Sequence, residues 1–298
     1  MKIGIFDSGI GGLSVLYEAL NLLPDENYIF YADTDHVPYG EKSSDEILGF
    51  SDEITDFMIK RGADAVLIAC NTASACAAAY LREKYSIPII AMEPAVRPAL
   101  HISESPGCSD ALGCSFDSEN SPEPENAKEP GRVLVAATPV TLREEKLKNL
   151  IRRENGEDRV ILAPLPGLVR FAENEEFESS AVTEYLKSEL SDYIDMRLDA
   201  FVLGCTHFNY FRLQICSVIG ENIPVIDGNK GTVRQLAKRL GITCKDTDDA
   251  KRPREPDTLL TNKTLFYTSG KPMTEDEVLR VGRYLKRLGD ISDDFAFI

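Results

Sequence analysis

Ile3-Gly4-Ile5-Phe6 opens the chain as an almost unbroken apolar run, and the turn Asp7-Ser8-Gly9-Ile10-Gly11-Gly12 follows it. That order predicts a short buried strand entering a glycine loop. From Leu13 to Leu23 the apolar residues return at helical spacing. Tyr28 to Ala32 reads as a second strand. Asp45 to Lys60 reads as an amphipathic helix with Ile47, Phe50, Ile54 and Phe57 on one side. Ala65 to Ala69 is apolar throughout, the mark of a parallel strand buried on both faces. A helix of small residues and a strand at Ile87–Ala91 come next. Strands alternating with helices predict parallel α/β layers.

The segment Ser103 to Pro130 breaks this rhythm. It is rich in Ser, Pro, Glu and Asn and poor in apolar residues. Its composition predicts a mobile surface insertion that buries too little to order itself. Cys108 and Cys114 lie in it, either as a regulatory thiol pair or as incidental residues of a weakly constrained loop. Lys245 to Lys263 is a second, smaller polar stretch.

Beyond the insertion the pattern repeats. Asp64 to Thr72 aligns with Asp199 to His207 at an offset of 135, which superposes Cys70 on Cys205. Ile87-Pro88-Ile89-Ile90 aligns with Ile223-Pro224-Val225-Ile226 at 136. Gly4 to Ser8 matches Leu134 to Thr138 at 130, and Tyr28 to Ala32 matches Val160 to Pro164 at 132. Buried strands resemble one another by composition alone. Four landmarks in one order, with matched cysteines, favour two pseudo-equivalent halves.

Composition narrows the function. The chain has 298 residues, 43% of them hydrophobic, enough for one large α/β domain or two smaller ones. Its net charge is −16, of which the insertion contributes −6, so nucleic acid is a poor partner. No apolar run has the length of a membrane span, and the N-terminus does not read as a signal peptide. Seven cysteines, an odd number scattered along the chain, favour free thiols in a reducing cytoplasm. Three histidines and no Cys-x-x-Cys pair argue against a zinc site.

Cys70 and Cys205 each follow a buried strand and precede a helix start, the edge where open α/β sheets bind ligands. The positive helix end there favours thiolate. One such cysteine alone reads as a small core residue. Two at matched places point to acid and base on opposite faces of one carbon, the requirement of racemisation or epimerisation. The charge that develops on a substrate carboxylate needs fixed donors. Ser8, Asn71, Thr72, Thr138 and Thr206 lie at matching strand ends, and the glycine loop offers N–H groups. Pro38-Tyr39-Gly40 is a tight turn after the second strand. Asp7 is placed to orient or deprotonate Cys70, and His207 to do the same for Cys205.

The segments Ile5-Phe6-Asp7-Ser8-Gly9-Ile10-Gly11-Gly12, Tyr31-Ala32-Asp33, Pro38-Tyr39-Gly40, Ala69-Cys70-Asn71-Thr72-Ala73 and Leu203-Gly204-Cys205-Thr206-His207-Phe208 resemble those of the glutamate racemases, within the wider aspartate/glutamate racemase family. The resemblance implies two pseudo-symmetric parallel-sheet α/β domains with the active site in the cleft between them. It places residues 1–98 with 209–298 in the first domain and 99–208 in the second, with the insertion at 103–130. It implies interconversion of L- and D-glutamate without cofactor or metal, supplying D-glutamate for peptidoglycan. Cys70 and Cys205 become the acid/base pair, supported by Asp7 and His207. Glu173 matches the family's supporting glutamate, although its acidic surroundings also suit a solvated charge. The implied partner is the substrate alone, with no nucleic acid and no membrane, in a cytoplasmic homodimer. The chain departs from the family pattern at Val140, at Leu165-Pro166 and at Asn209-Tyr210.

Other readings stay open at this point. An aspartate racemase would share the fold and the thiols. A nucleotide-binding dehydrogenase would use Gly9-x-Gly11 and Asp33 but has Ser14 at the third glycine position and leaves the paired cysteines without a role. A non-enzymatic regulator would use the acidic insertion as a nucleic-acid mimic.

Overall fold

The computed structural model describes residues 1–102, 131–245 and 263–295. The insertion with Cys108 and Cys114, and most of the stretch Lys245 to Lys263, lie outside the described residues. The first strands are β1 (Lys2–Asp7), β2 (Asn27–Ala32), β3 (Ala65–Ile68) and β4 (Ile89–Ala91). A second group is β5 (Arg132–Ala137), β6 (Val160–Pro164), β7 (Leu198–Leu203) and β8 (Val225–Asp227). Near the C-terminus come β9 (Thr264–Thr268) and β10 (Lys271–Pro272). The helices are α1 (Leu13–Leu22), α2 (Ser44–Lys60), α3 (Asn71–Lys84), α4 (Val96–His101), α5 (Pro139–Arg143) and α6 (Glu145–Arg153). They continue as α7 (Gly167–Glu173), α8 (Ser180–Leu190), α9 (Arg212–Ile219), α10 (Asn229–Leu240) and α11 (Glu275–Phe295).

Two sheets form, with orders β10-β9-β2-β1-β3-β4 and β6-β5-β7-β8. All pairings are parallel except β9 with β10. The repeat read from the chain is a repeat of register. Gly4 pairs with Ile29 and Val66, and Val66 with Ile89. Leu134 pairs with Ile161 and Phe201, and Phe201 with Val225. The same offsets of 130, 132, 135 and 136 carry each residue of the first set onto its counterpart. The first sheet extends beyond the repeat through β9 and β10, which sequence reading did not anticipate.

The pairing of β8 bears on the expected domain division. β8 falls in the range assigned to the first domain, yet it hydrogen-bonds to β7 in the second sheet. The short apolar run Val225-Ile226 completes the second sheet as Ile89-Ile90 completes the first.

Alternation along the strands assigns the faces. Ile3 and Ile5 of β1 point into a core shared with Leu13, Leu16 and Leu20 of α1 and with Tyr284 and Leu285 of α11. Phe6 points the other way, against Ile47, Ile54 and Met58 of α2. The shared core continues into the second sheet through Leu134, Ala136, Phe201 and Leu203. Val133, Val135 and Val202 face a separate cluster with Leu147 and Leu150 of α6. The local rules hold where the site is built. Ser43 caps α2 by accepting the Glu46 N–H at 3.3 Å, and the Glu46 carboxylate accepts the Ser43 N–H at 2.9 Å.

Candidate active site

The C-terminal ends of β1, β3, β5 and β7 converge where the two sheets meet. Cys70 follows β3 and caps α3, its Sγ accepting the Ala73 N–H at 3.4 Å. Its thiol donates to Ser8 Oγ at 3.8 Å. Cys205 follows β7, and its Sγ lies 3.8 Å from His207 Nδ1. Both cysteines are nearly closed to solvent, at 5% and 7% exposure. They are also near enough that charge on Cys205 raises the pKa of Cys70.

Each thiol has its own ionisable neighbour, and the two neighbours differ in kind. Asp7, at the end of β1, is fully buried. Its carboxylate accepts the Thr206 hydroxyl at 3.0 Å. Burial raises the Asp7 carboxyl above the usual carboxylate range, against the opposing pull of His207 and Thr206. Burial and the Asp7 charge push the Cys70 thiol well up, outweighing the Ala73 N–H. The expectation that the helix end favours thiolate is therefore reversed at Cys70, because desolvation is the larger effect. On the other side, His207 Nε2 meets Glu173 Oε1 at 2.7 Å. Burial opposes the His207 charge, but Cys205 and Glu173 more than offset it, so the imidazole titrates well above its ordinary value.

Glu173 comes from α7, far along the chain from the loop it touches. Its Oε1 accepts the Ile10 N–H at 2.9 Å. That uses one amide of the glycine loop, which sequence reading had offered to a substrate carboxylate. The glycines permit this crowding. A Cβ on Gly9 would lie 1.9 Å from Glu173 Oε1, and one on Gly11 would lie 2.5 Å from His207 Nδ1. The loop is thus the floor on which the Cys205 arm rests.

Around the thiols, Thr72, Thr138 and Thr141 form a triangle of hydroxyls with O–O distances of 3.0, 3.1 and 3.0 Å. Thr141 was not singled out from the sequence. Thr206 hydrogen-bonds Asp7, so it joins the two halves instead of capping an α-helix. A 3-10 turn, Thr206–Phe211, stands where a helix start was expected. Asn71 is buried, and its Oδ1 has no protein partner, as is true of Asp7 Oδ1. The Val37–Pro38 peptide is cis, and Gly40 brings the turn against Thr138, with its Cβ position 3.0 Å from Thr138 Cβ. Tyr39 donates to Asp33 Oδ2 at 2.6 Å, and His36 Nδ1 lies 2.9 Å from the same carboxylate. Asp33 is committed to holding this turn. With Gly9 and Gly11 packed on side chains as well, the dehydrogenase reading loses both its ribose acid and its phosphate loop.

No protein-family model matches the chain. A curated glutamate racemase from Campylobacter concisus is 43% identical over 288 residues, 97% of each chain. The crystal structure of glutamate racemase from Campylobacter jejuni aligns with a TM-score of 0.71 and 27% identity, covering 95% of this chain and 97% of that one. The Francisella tularensis glutamate racemase, solved in complex with D-glutamate, aligns at 0.68 with 26% identity, covering 96% and 93%. With its fold and its near-complete alignment to these enzymes, the chain belongs to the glutamate racemase family.

Proposed function

We propose that the protein interconverts L- and D-glutamate by a two-thiol proton transfer that uses no cofactor. The observation that carries the reading is the pairing of Cys70 and Cys205 at register-equivalent strand ends, with the Asp7 carboxyl in electrostatic reach of Cys70 and His207 Nδ1 3.8 Å from Cys205 Sγ. One thiolate removes the α-proton while the opposite thiol delivers a proton to the other face. In the reverse direction the roles exchange. The raised thiol pKa of Cys70 makes its thiolate a stronger base in a dry site, and Asp7 is the carboxylate placed to receive the thiol proton. His207, held by Glu173, performs the matching task at Cys205.

The substrate-facing groups follow from the same geometry. Ser8 hydrogen-bonds Cys70, Asn71 and Thr72 follow Cys70 at the start of α3, and Thr138 is joined to Thr72, with Tyr39 and Gly40 closing the turn after cis Pro38. Buried acceptors without protein partners, Asn71 Oδ1 and Asp7 Oδ1, suit an α-ammonium group. Thr206 acts through Asp7. The D-glutamate so formed serves peptidoglycan synthesis, and we assign the enzyme to the cytoplasm as a homodimer acting on a small molecule. Among the described residues no helix is long and apolar enough to cross a membrane.

The deciding experiment follows circular dichroism of L-glutamate and then of D-glutamate with purified protein under reducing conditions. Decay to zero from both sides supports the proposal. Decay with aspartate alone moves the substrate and keeps the mechanism. A flat signal with both amino acids refutes it.

A further inference from the structure

The Cys205 arm depends on the end of a short helix. Glu173 is the last residue of the seven-residue α7, and the final carbonyls of such a helix have no intrahelical donors. The residues just past it cap Arg170 O, Phe171 O and Ala172 O with the N–H groups of Asn174, Glu176 and Glu175, and the C-terminal helix α11 adds side-chain donors at Ala172 O and Glu173 O. Tyr284 OH donates to Ala172 O at 2.6 Å, and the Arg280 guanidinium donates to Glu173 O. Arg280 Nη2 also meets Tyr284 OH at 3.1 Å, and its Nε donates to Glu175 Oε1 at 3.0 Å. A cation at the negative end of α7 adds a favourable charge–dipole term. About two helical turns past Arg280, Arg287 Nε donates to Tyr210 O at 2.9 Å, in the turn that carries His207. Tyr210 OH in turn donates to Ile10 O at 3.0 Å, while the Ile10 N–H is the donor to Glu173. The contacts close a ring from α11 through both halves of the relay.

We propose that Arg280 and Tyr284 are positioning residues for the Glu173–His207–Cys205 relay. Neither touches the thiols. They fix the end of α7 so that the Glu173 carboxylate stays on His207. The inference rests on the role given above to Glu173 and His207. Its test is the pH profile of kcat/KM with glutamate, measured alongside thermal melting. The groups facing His207 are Glu173 from α7, Cys205 from the strand end and Asp7 from β1. When Glu173 drifts, the imidazolium loses its carboxylate and gives up its proton at lower pH. Arg280→Gln and Tyr284→Phe should therefore lower kcat/KM roughly tenfold, within the reach of a sub-ångström misplacement, and move the alkaline limb to lower pH. Arg280→Lys should restore part of both.

Arg283→Gln is the control, because among the described residues Arg283 pairs with the Glu175 side chain at 2.8 Å and not with the end of α7. It should leave the limb in place. Glu173→Gln separates the two levels of the argument. If it moves the limb while Arg280→Gln and Tyr284→Phe do not, the positioning role is overturned and the relay stands. If Glu173→Gln itself leaves the limb unmoved, the relay reading fails and takes the proposal with it. Should Arg280→Gln fail to fold, the isosteric Tyr284→Phe and the conservative Arg280→Lys decide the question.

Discussion

Gly11→Ala changes one hydrogen to a methyl group and should disable the enzyme. The added Cβ would stand 2.5 Å from His207 Nδ1, 2.6 Å from Thr206 Oγ1 and 2.7 Å from His207 Cε1. Ordinary contacts begin near 3.4 Å, so the methyl arrives about 1 Å too close. Neither neighbour is free to give. Thr206 is tied to Asp7 at 3.0 Å and His207 to Glu173 at 2.7 Å. His207 must shift, and an error of about 1 Å at an acid/base group costs roughly a hundredfold in rate, or about 2.7 kcal/mol. Overpacking a buried site costs a further ~1–3 kcal/mol of stability, seen as a lower Tm. Gly49→Ala is the matched control. Its Cβ position has nothing within 4 Å, and it lies inside α2, where alanine should stabilise by up to ~1 kcal/mol and leave the rate alone. Circular dichroism of glutamate reads the rate and thermal melting reads the stability. A Gly11→Ala rate within twofold of wild type would show that the loop does not position His207, and the argument for the Cys205 arm would fall.

Other changes test other links. Cys70→Ser and Cys205→Ser should each abolish racemisation from both enantiomers in the circular-dichroism assay, since a turnover by the proposed scheme needs both thiols; a near-normal rate in either refutes that scheme. His207 keeps its proton in the fold to higher pH than in the unfolded chain, because Cys205 and Glu173 more than offset its burial. The stabilisation is fully present below the unfolded value of about 6.5 and is lost as pH rises through the folded pKa. The Tm difference between wild type and His207→Gln should therefore shrink toward alkaline pH. Lys146 shows the opposite sign. Burial pulls its ammonium down to about 8, while its Nζ donates to Met92 O at 2.7 Å. The unfolded chain holds that proton up to about 10.4, so Lys146 makes stability rise between those values. Lys146→Met should remove the rise, as urea unfolding at pH 7.5 and at pH 10 would show.

The two-half architecture was legible because parallel register is strict. A slip of one residue would turn Ile3 and Ile5 out of the core, so buried strands keep fixed partners and the spacing survives as constant offsets. Both thiols were legible for the same reason, since each terminates a matched strand. β9 was not. Its burial pattern is buried, exposed and then partly buried, which leaves little contrast for a sequence pattern to show. The pairing of β8 with β7 was not legible either, because sheet membership is decided by pairing across the fold. Glu173 was reached through family resemblance and not through spacing. Its contacts are with Ile10 and His207, and the neighbouring Glu175 and Glu176 make it look like a surface charge. Arg280 and Tyr284 carry no motif at all. Their role becomes visible only when α11 is seen against the end of α7.

The halves are alike in backbone and unlike in chemistry, and that has a kinetic consequence. The offset that superposes β1 on β5 puts Ala137 opposite Asp7, and the one that superposes the cysteines puts Thr72 opposite His207. One thiol thus lies beside a buried carboxyl and the other beside an imidazole held by a carboxylate. L- and D-glutamate have equal free energies in water, so kcat/KM must be the same in the two directions whatever the enzyme does. The separate constants have no such constraint, because the two enzyme–substrate complexes are different species. We expect kcat for L to D and for D to L to differ, with KM differing by the same factor, and the kcat ratio to change with pH as Asp7 and His207 titrate. Progress curves started from each enantiomer and fitted together give all four constants. A kcat ratio of one at every pH would mean that the unlike partners do the same work, and the separate roles assigned to Asp7 and His207 would have to be abandoned.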